Sequence, residues 1–197
     1  MRYLFLTLSL ACAKAPADTA PAGGASMLVR SVKLEARTAE CGREEPLDLN
    51  RDGRQDVVNC FRADGSLARR QSDLNNDGRF DITTFYDLPS SATAAPLRSR
   101  EELDMDFDGR LDLIDNFIEG RLKDSEIDTN FDGVRDVYKE FQADGKLVRR
   151  TIDSNADGQQ DTFEDYKDGR LDRTCHDINA DGVADSESCK AEPVAAP

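Results

Sequence analysis

The chain has 197 residues, 38% of them hydrophobic and 34% charged, with aromatics at 7% and no Trp, which fits one modest domain and excludes a large conventional core. Against 26 Lys and Arg stand 40 Asp and Glu, a net charge of −14, so nucleic-acid phosphates and anionic membrane surfaces are excluded as partners and a cation is expected. Of those acids 28 are Asp, the shorter carboxylate that suits turns and oxygen-ligand metal loops.

Met1 and Arg2 lead into an apolar run from Tyr3 to Ala11, far short of the roughly 20 residues of a membrane-spanning helix. Residues 1–11 read as an export signal. Leu8-Ser9-Leu10-Ala11-Cys12 resembles a bacterial lipobox, with Ser9 where that motif usually carries Leu. The resemblance implies a lipidated Cys12 as the mature N-terminus and, with Ala13 following it, outer-membrane sorting in a Gram-negative envelope. Cleavage by an ordinary signal peptidase is the alternative. The expected location is therefore an outer-membrane lipoprotein, or the periplasm or exterior, with membrane contact only through the lipid.

Residues 13 to 26 are Ala, Pro, Gly, Ser and Thr with one Lys and one Asp, a composition with nothing to bury. Residues 12–40 are expected to form a tether, 41–190 the folded domain and 191–197 a disordered tail. Setting Cys12 aside, Cys41, Cys60, Cys175 and Cys189 remain, and an even number in an exported chain points to two disulfides. Three connectivities are open, of which Cys41–Cys60 with Cys175–Cys189 is local in sequence and would staple both ends of the domain. Four scattered Cys without a C-x-x-C pair make a poor zinc site.

Between those cysteines the pattern D-x-[ND]-x-D-G-x-x-D occurs six times, at start-to-start spacings of 25, 31, 24, 25 and 24. The long interval contains an insertion of loop composition, residues 88 to 96. Such regularity argues against disorder. The first copy carries Asp48, Asn50, Asp52 and Asp56, followed by Val57-Val58 and Phe61. The second has Asp73, Asn75, Asp77 and Asp81 ahead of Ile82-Thr83-Thr84-Phe85-Tyr86. In the third, Asp104, Asp106, Asp108 and Asp112 precede Leu113-Ile114 and Phe117. The fourth supplies Asp128, Asn130, Asp132 and Asp136 before Val137-Tyr138 and Phe141, and the fifth Asp153, Asn155, Asp157 and Asp161 before Thr162-Phe163 and Tyr166. The sixth, Asp177, Asn179, Asp181 and Asp185, has Lys190 where the others have an aromatic, as a terminal cap would.

The β-branched and aromatic stretches are strand formers. A second turn follows at Asp64-Gly65, Gly120, Asp144-Gly145 and Asp168-Gly169, with Leu67, Leu122, Leu147 and Leu171 two residues beyond, a hairpin signal. Each unit reads strand, tight turn, strand, acidic loop. The expected fold is all-β, an antiparallel β-meander of six short hairpin repeats in an elongated or shallowly curved sheet. A compact barrel or sandwich is the alternative.

Calcium takes six to eight oxygens in flexible geometry, and side-chain oxygens at loop positions 1, 3, 5 and 9, with a backbone carbonyl at 7 and a Gly at 6 for the bend, would wrap it. Every copy has this set. The bidentate Glu of an EF-hand's twelfth position is mostly missing, since Asn59, Thr84, Asp115, Lys139, Glu164 and Ser188 stand there, and flanking helices are missing too. Water or a neighbouring unit's carboxylate must complete the shell. The six loops hold 19 Asp, whose repulsion opposes folding without metal, and six Ca²⁺ would bring the net charge from −14 to about −2. Ordinary turns explain Asp, Asn and Gly but do not demand Asp at position 9. Magnesium and zinc suit this donor set less well.

Residues 48 to 58 resemble the calcium loops of FG-GAP and VCBS repeats and are similar to those of thrombospondin type 3 and dockerin modules. Tyr166-Lys167-Asp168-Gly169-Arg170-Leu171 resembles the hairpin of YD (RHS-type) repeats. The resemblance, which covers residues 47 to 186 in pieces, implies the ion and not the architecture: FG-GAP blades are more than twice as long, and dockerins have two loops with helices.

No nucleophile elbow, zinc-protease, P-loop or dinucleotide motif occurs, and His176, the single His, reads as a solvated or packed residue. Glu101, Glu102, Glu119 and Glu164 lie outside the loops but without aromatic platforms around them. Arg69-Arg70 and Arg149-Arg150, at equivalent places in their units, read as counterions for the loop carboxylates. The expected function is a calcium-binding, non-enzymatic structural or adhesive module on the cell envelope, rigidified by about six Ca²⁺ and facing a protein or glycan ligand. A soluble periplasmic or secreted calcium-buffering or inhibitor protein is the alternative, ahead of a carbohydrate-active enzyme.

Overall fold

The computed structural model describes residues 41–88 and 95–191. The expected export signal, Cys12, the tether, most of the insertion and the tail beyond 191 lie outside the described residues.

Twelve strands alternate with the two kinds of turn. They are β1 (Arg43–Leu47), β2 (Val57–Phe61), β3 (Leu67–Ser72), β4 (Ile82–Asp87), β5 (Leu97–Leu103) and β6 (Leu113–Ile118). There follow β7 (Arg121–Ile127), β8 (Val137–Phe141), β9 (Leu147–Ile152), β10 (Thr162–Lys167), β11 (Arg170–His176) and β12 (Lys190–Ala191). The strands form one sheet in sequence order, β1 to β12, each antiparallel to its neighbours. The expected meander is therefore present, and it is open: β1 and β12 are its edges. Helix is limited, among the described residues, to a 3-10 turn at Ser186–Ser188. The last strand ends at Ala191, the residue at which the tail was expected to begin.

Cross-strand register explains why so few apolar residues suffice. Leu47, Val57, Ser72, Ile82, Leu103, Leu113, Ile127, Val137, Ile152 and Thr162 stand opposite one another from strand to strand, a row beside the acidic loops that is aliphatic except at Ser72 and Thr162. At the other end of the strands a register shift brings the repeated aromatic against the repeated Leu, as Phe61 with Leu67, Phe117 with Leu122, Phe141 with Leu147 and Tyr166 with Leu171. Such facing pairs are the unit of sheet stabilisation. In the second unit Tyr86 faces Arg98 instead. Glu119-Gly120 and Asp168-Gly169 take positive φ of 51° and 75°, and 53° and 76°, the two-residue turn whose twist matches the strands.

Both local disulfides form, Cys41–Cys60 beside β1 and Cys175–Cys189 beside β12, so each tethers an edge. Two disulfides fit an oxidising compartment outside the cytosol. Among the described residues the buried apolar side chains are Val57, Val58, Cys60, Ala68, Ile114 and Cys175. Buried with them are Asp56, Asp73, Asp81, Asp104, Asp112, Asp128, Asp136 and Asp153, so the interior is as much carboxylate as hydrocarbon.

Candidate metal centre

The loops, numbered 1 to 6 here, join β1 to β2, β3 to β4, β5 to β6, β7 to β8, β9 to β10 and β11 to β12. In a meander these connections all fall on one side of the sheet. Two strand spacings separate successive loops, roughly 10 Å.

Within each loop the side chains expected as ligands repeat one geometry. The position-1 carboxylate (Asp48, Asp73, Asp104, Asp128, Asp153, Asp177) accepts the N–H of the position-6 Gly at 2.7–2.9 Å. Position 3 (Asn50, Asn75, Asp106, Asn130, Asn155, Asn179) accepts the N–H of position 5 at 2.8–3.1 Å. Position 5 (Asp52, Asp77, Asp108, Asp132, Asp157, Asp181) accepts from position 7 at 2.7–2.9 Å. Position 9 (Asp56, Asp81, Asp112, Asp136, Asp161, Asp185) closes the loop by accepting the N–H of position 2 at 2.5–3.0 Å. The sharp bend needs a left-handed residue at position 4 as well as the Gly: Arg51, Asn76, Phe107, Phe131, Ala156 and Ala180 have φ of 58–66°. The sequence pattern leaves position 4 unconstrained, so this second bend is not legible in it.

Electrostatics differ between loops. The Arg79 N–H and the Asn75 amide hold the Asp77 carboxyl below its ordinary range. Desolvation within the loop, followed by the charges of Asp108, Asp112 and Asp104, pushes Asp106 the other way against the opposing N–H of Asp108. Oxygens of Asp104, Asp106 and Asp108 lie within 4.8 Å of one another. Oxygen-only donors, crowded and partly buried, fit a hard cation such as Ca²⁺ and not a zinc site.

Neighbouring loops are joined by backbone. The N–H of each position-1 Asp donates to the carbonyl of the preceding loop's position-9 Asp, from Asp73 to Asp56, Asp104 to Asp81, Asp128 to Asp112, Asp153 to Asp136 and Asp177 to Asp161, at 2.7–2.9 Å. Arginines at position 7 add struts: Arg54 donates to the Asn76 carbonyl at 3.0 Å and Arg110 to the Asp132 carbonyl at 3.3 Å. Pairing over 22 residues leaves no local signature, and sequence reasoning missed these residues.

Three of the four arginines expected to neutralise the loops engage strand carboxylates instead. Arg69 reaches Glu44 at 3.4 Å, Arg149 reaches Asp165 at 3.1 Å and Arg150 grips Glu164 at 2.7 and 2.8 Å. Register places Arg149 and Arg150 opposite Asp165 and Glu164, three or four residues from loop 5, whereas Arg69 and Arg70 face Cys60 and Asn59. Glu164, the one Glu at a twelfth position, is thereby engaged by Arg150 and by the Tyr166 hydroxyl at 2.7 Å. Glu101 and Glu102 are likewise paired, with Arg98 at 3.1 Å and Arg100 at 2.7 Å. His176 lies 3.2 Å from the Thr162 hydroxyl. Among the described residues no helix is long and apolar enough to cross a membrane.

No protein-family model matches the chain, and no curated protein matches it. Among solved structures, a crystal structure of an S. aureus TarM mutant in complex with Fondaparinux, alpha-GlcNAc-glycerol and UDP aligns at 7% identity and a TM-score of 0.32, over 66% of this chain and 21% of that one. The GtfA/B complex aligns at 16% identity and a TM-score of 0.32, over 66% and 20%. The chain thus spans about a fifth of each of those proteins, and similarity at this level carries neither fold nor function across.

Proposed function

We propose that this chain is a calcium-rigidified β-repeat module of an exported, envelope-facing protein, acting as a structural or adhesive surface toward a protein or glycan partner, without catalysis of its own. About six Ca²⁺, one per loop, would be held by the side-chain oxygens of positions 1, 3, 5 and 9. Lipidation of Cys12 would fix it to the outer membrane.

One observation carries the reading: eight loop carboxylates are buried in a sheet that buries only six apolar side chains among its described residues. Buried like charges are costly without a counter-charge. Arg69, Arg149 and Arg150 engage strand carboxylates, and the ion pair to a loop carboxylate, Arg110 to Asp108, is a long 3.6 Å contact, so the counter-charge proposed for the loops is a bound cation. Bound ions would then supply the closure that a thick apolar core supplies elsewhere.

Calorimetric calcium titration of the full chain, with circular dichroism before and after chelation, tests this directly. Several binding events and a β signal that falls on chelation are expected. A chain that keeps its full β signal in chelator and takes up no Ca²⁺ would refute the proposal.

A further inference from the structure

We propose that the six loops are not equivalent, and that loop 3, built from Asp104, Asp106, Asp108 and Asp112, is the tightest calcium site and the one filled first. The inference rests on the calcium reading above and adds an order to it.

Three observations single this loop out. First, position 3 is Asp106 here and Asn in the other five, so loop 3 has four carboxylates where the others have three. Second, in those five the Asn side-chain amide donates into the loop. Asn50, Asn75 and Asn155 donate to Asp52, Asp77 and Asp157 at 3.1–3.2 Å; Asn130 and Asn179 donate to Asp136 and Asp185 at 3.4 Å. Asp106 has no such donor to offer. The one ion pair to the four carboxylates among the described residues is Arg110 to Asp108, a long 3.6 Å contact at the exposed rim.

Third, Asp104 is 7% exposed, and its Oδ1 is buried without a hydrogen-bond partner. In the other loops the equivalent oxygen accepts at least one backbone N–H, as Asp73 does from Asn76 at 2.7 Å and Asp128 from Phe131 at 2.7 Å. A buried carboxylate oxygen left unpaired is costly. One oxygen of the Asp104 carboxyl lies within 4.8 Å of one oxygen each of Asp106 and Asp108, where one divalent ion would satisfy all three groups. Calcium affinity in such loops is set by ligand charge and site rigidity, and loop 3 has the larger charge and the missing partner.

Its place in the chain of loops gives the order a consequence. Asp104 N–H is bonded to the loop 2 carbonyl of Asp81 at 2.8 Å, and the Asp112 carbonyl to the loop 4 N–H of Asp128 at 2.7 Å. An ion in loop 3 therefore fixes backbone shared with both neighbours, so loops 2 and 4 should fill next.

Calcium titration by calorimetry of the chelator-stripped full chain and of Asp106→Asn tests the inference. Asn is the residue of the other five loops, so the variant is built to fold. The wild-type chain is expected to bind one ion at least about tenfold tighter than the rest, and Asp106→Asn to bind the same number with that first event merged into the weaker class. Hydrogen exchange at one equivalent of calcium should protect residues 104–112 before any other loop. Uniform sites in the wild type, a tight event that survives Asp106→Asn, or first protection elsewhere would each overturn the proposal while leaving calcium binding intact. Absence of any binding would overturn both.

Discussion

At the scale of single residues, carboxylates in this protein fall into two groups with different counter-charges. Those of the loops lean on backbone N–H groups, whereas Glu164, buried on its strand, is satisfied by side chains. The two bonds from Arg150, followed by the Tyr166 hydroxyl, hold the Glu164 carboxyl below its ordinary value of 4.5. A carboxylate with a lowered folded-state pKa stabilises the fold above its unfolded pKa and loses that contribution as pH falls through the folded value. In saturating calcium, wild type should therefore be more stable than Glu164→Gln at neutral pH. The gap, read from denaturant midpoints, should close as pH drops from about 5 through the acid range. A gap that stays constant with pH would place the stabilisation in packing instead of in the charge.

At the scale of the element, the unit is a bulged hairpin with an acidic loop at its open end, and each unit leans on the next. Among the described residues the edge strands β1 and β12 each have one neighbour, and a disulfide stands beside each of them. Cys175–Cys189 closes 14 residues around loop 6, and β12 contributes only the two residues Lys190 and Ala191 to the sheet. Removing a crosslink of that span costs about 3 kcal/mol in the chain-entropy account. The double variant Cys175→Ser with Cys189→Ser should lose that stability locally. Amide exchange should quicken across β11, loop 6 and β12 and stay unchanged in β4 to β7. Uniform acceleration throughout the sheet would mean that the terminal unit is not a separable cap.

At the scale of the whole sheet, every strand pairs only with its neighbours in sequence, as in solenoid arrays whose stability is a sum of units and interfaces. Damage should then spread by distance. Asp132 lies in loop 4, where its side chain accepts the Val134 N–H at 2.8 Å and its carbonyl accepts Arg110 of loop 3. Asp132→Ala should lower the calcium stoichiometry by one and reduce exchange protection in β5 to β10, with β1 to β3 spared. An unchanged stoichiometry would contradict the assignment of this loop as a site.

Much of this was legible in the sequence because it is local. The nine-residue acidic loop, a strand former after each loop, the Asp-Gly turns and the nearest-neighbour cysteine pairs each depend on residues close along the chain, and the antiparallel meander follows from their order. The tertiary structure decided what depends on register between strands. It left the sheet open, set the repeated Phe or Tyr against the repeated Leu across a bulge, and turned Arg149 and Arg150 toward strand carboxylates. It also sent Arg54 and Arg110 into the next loop and left one oxygen of Asp104 buried and alone. Those contacts join residues brought together by turn geometry and bulges, which shift a strand by a residue at a time and so cannot be counted off from spacing alone.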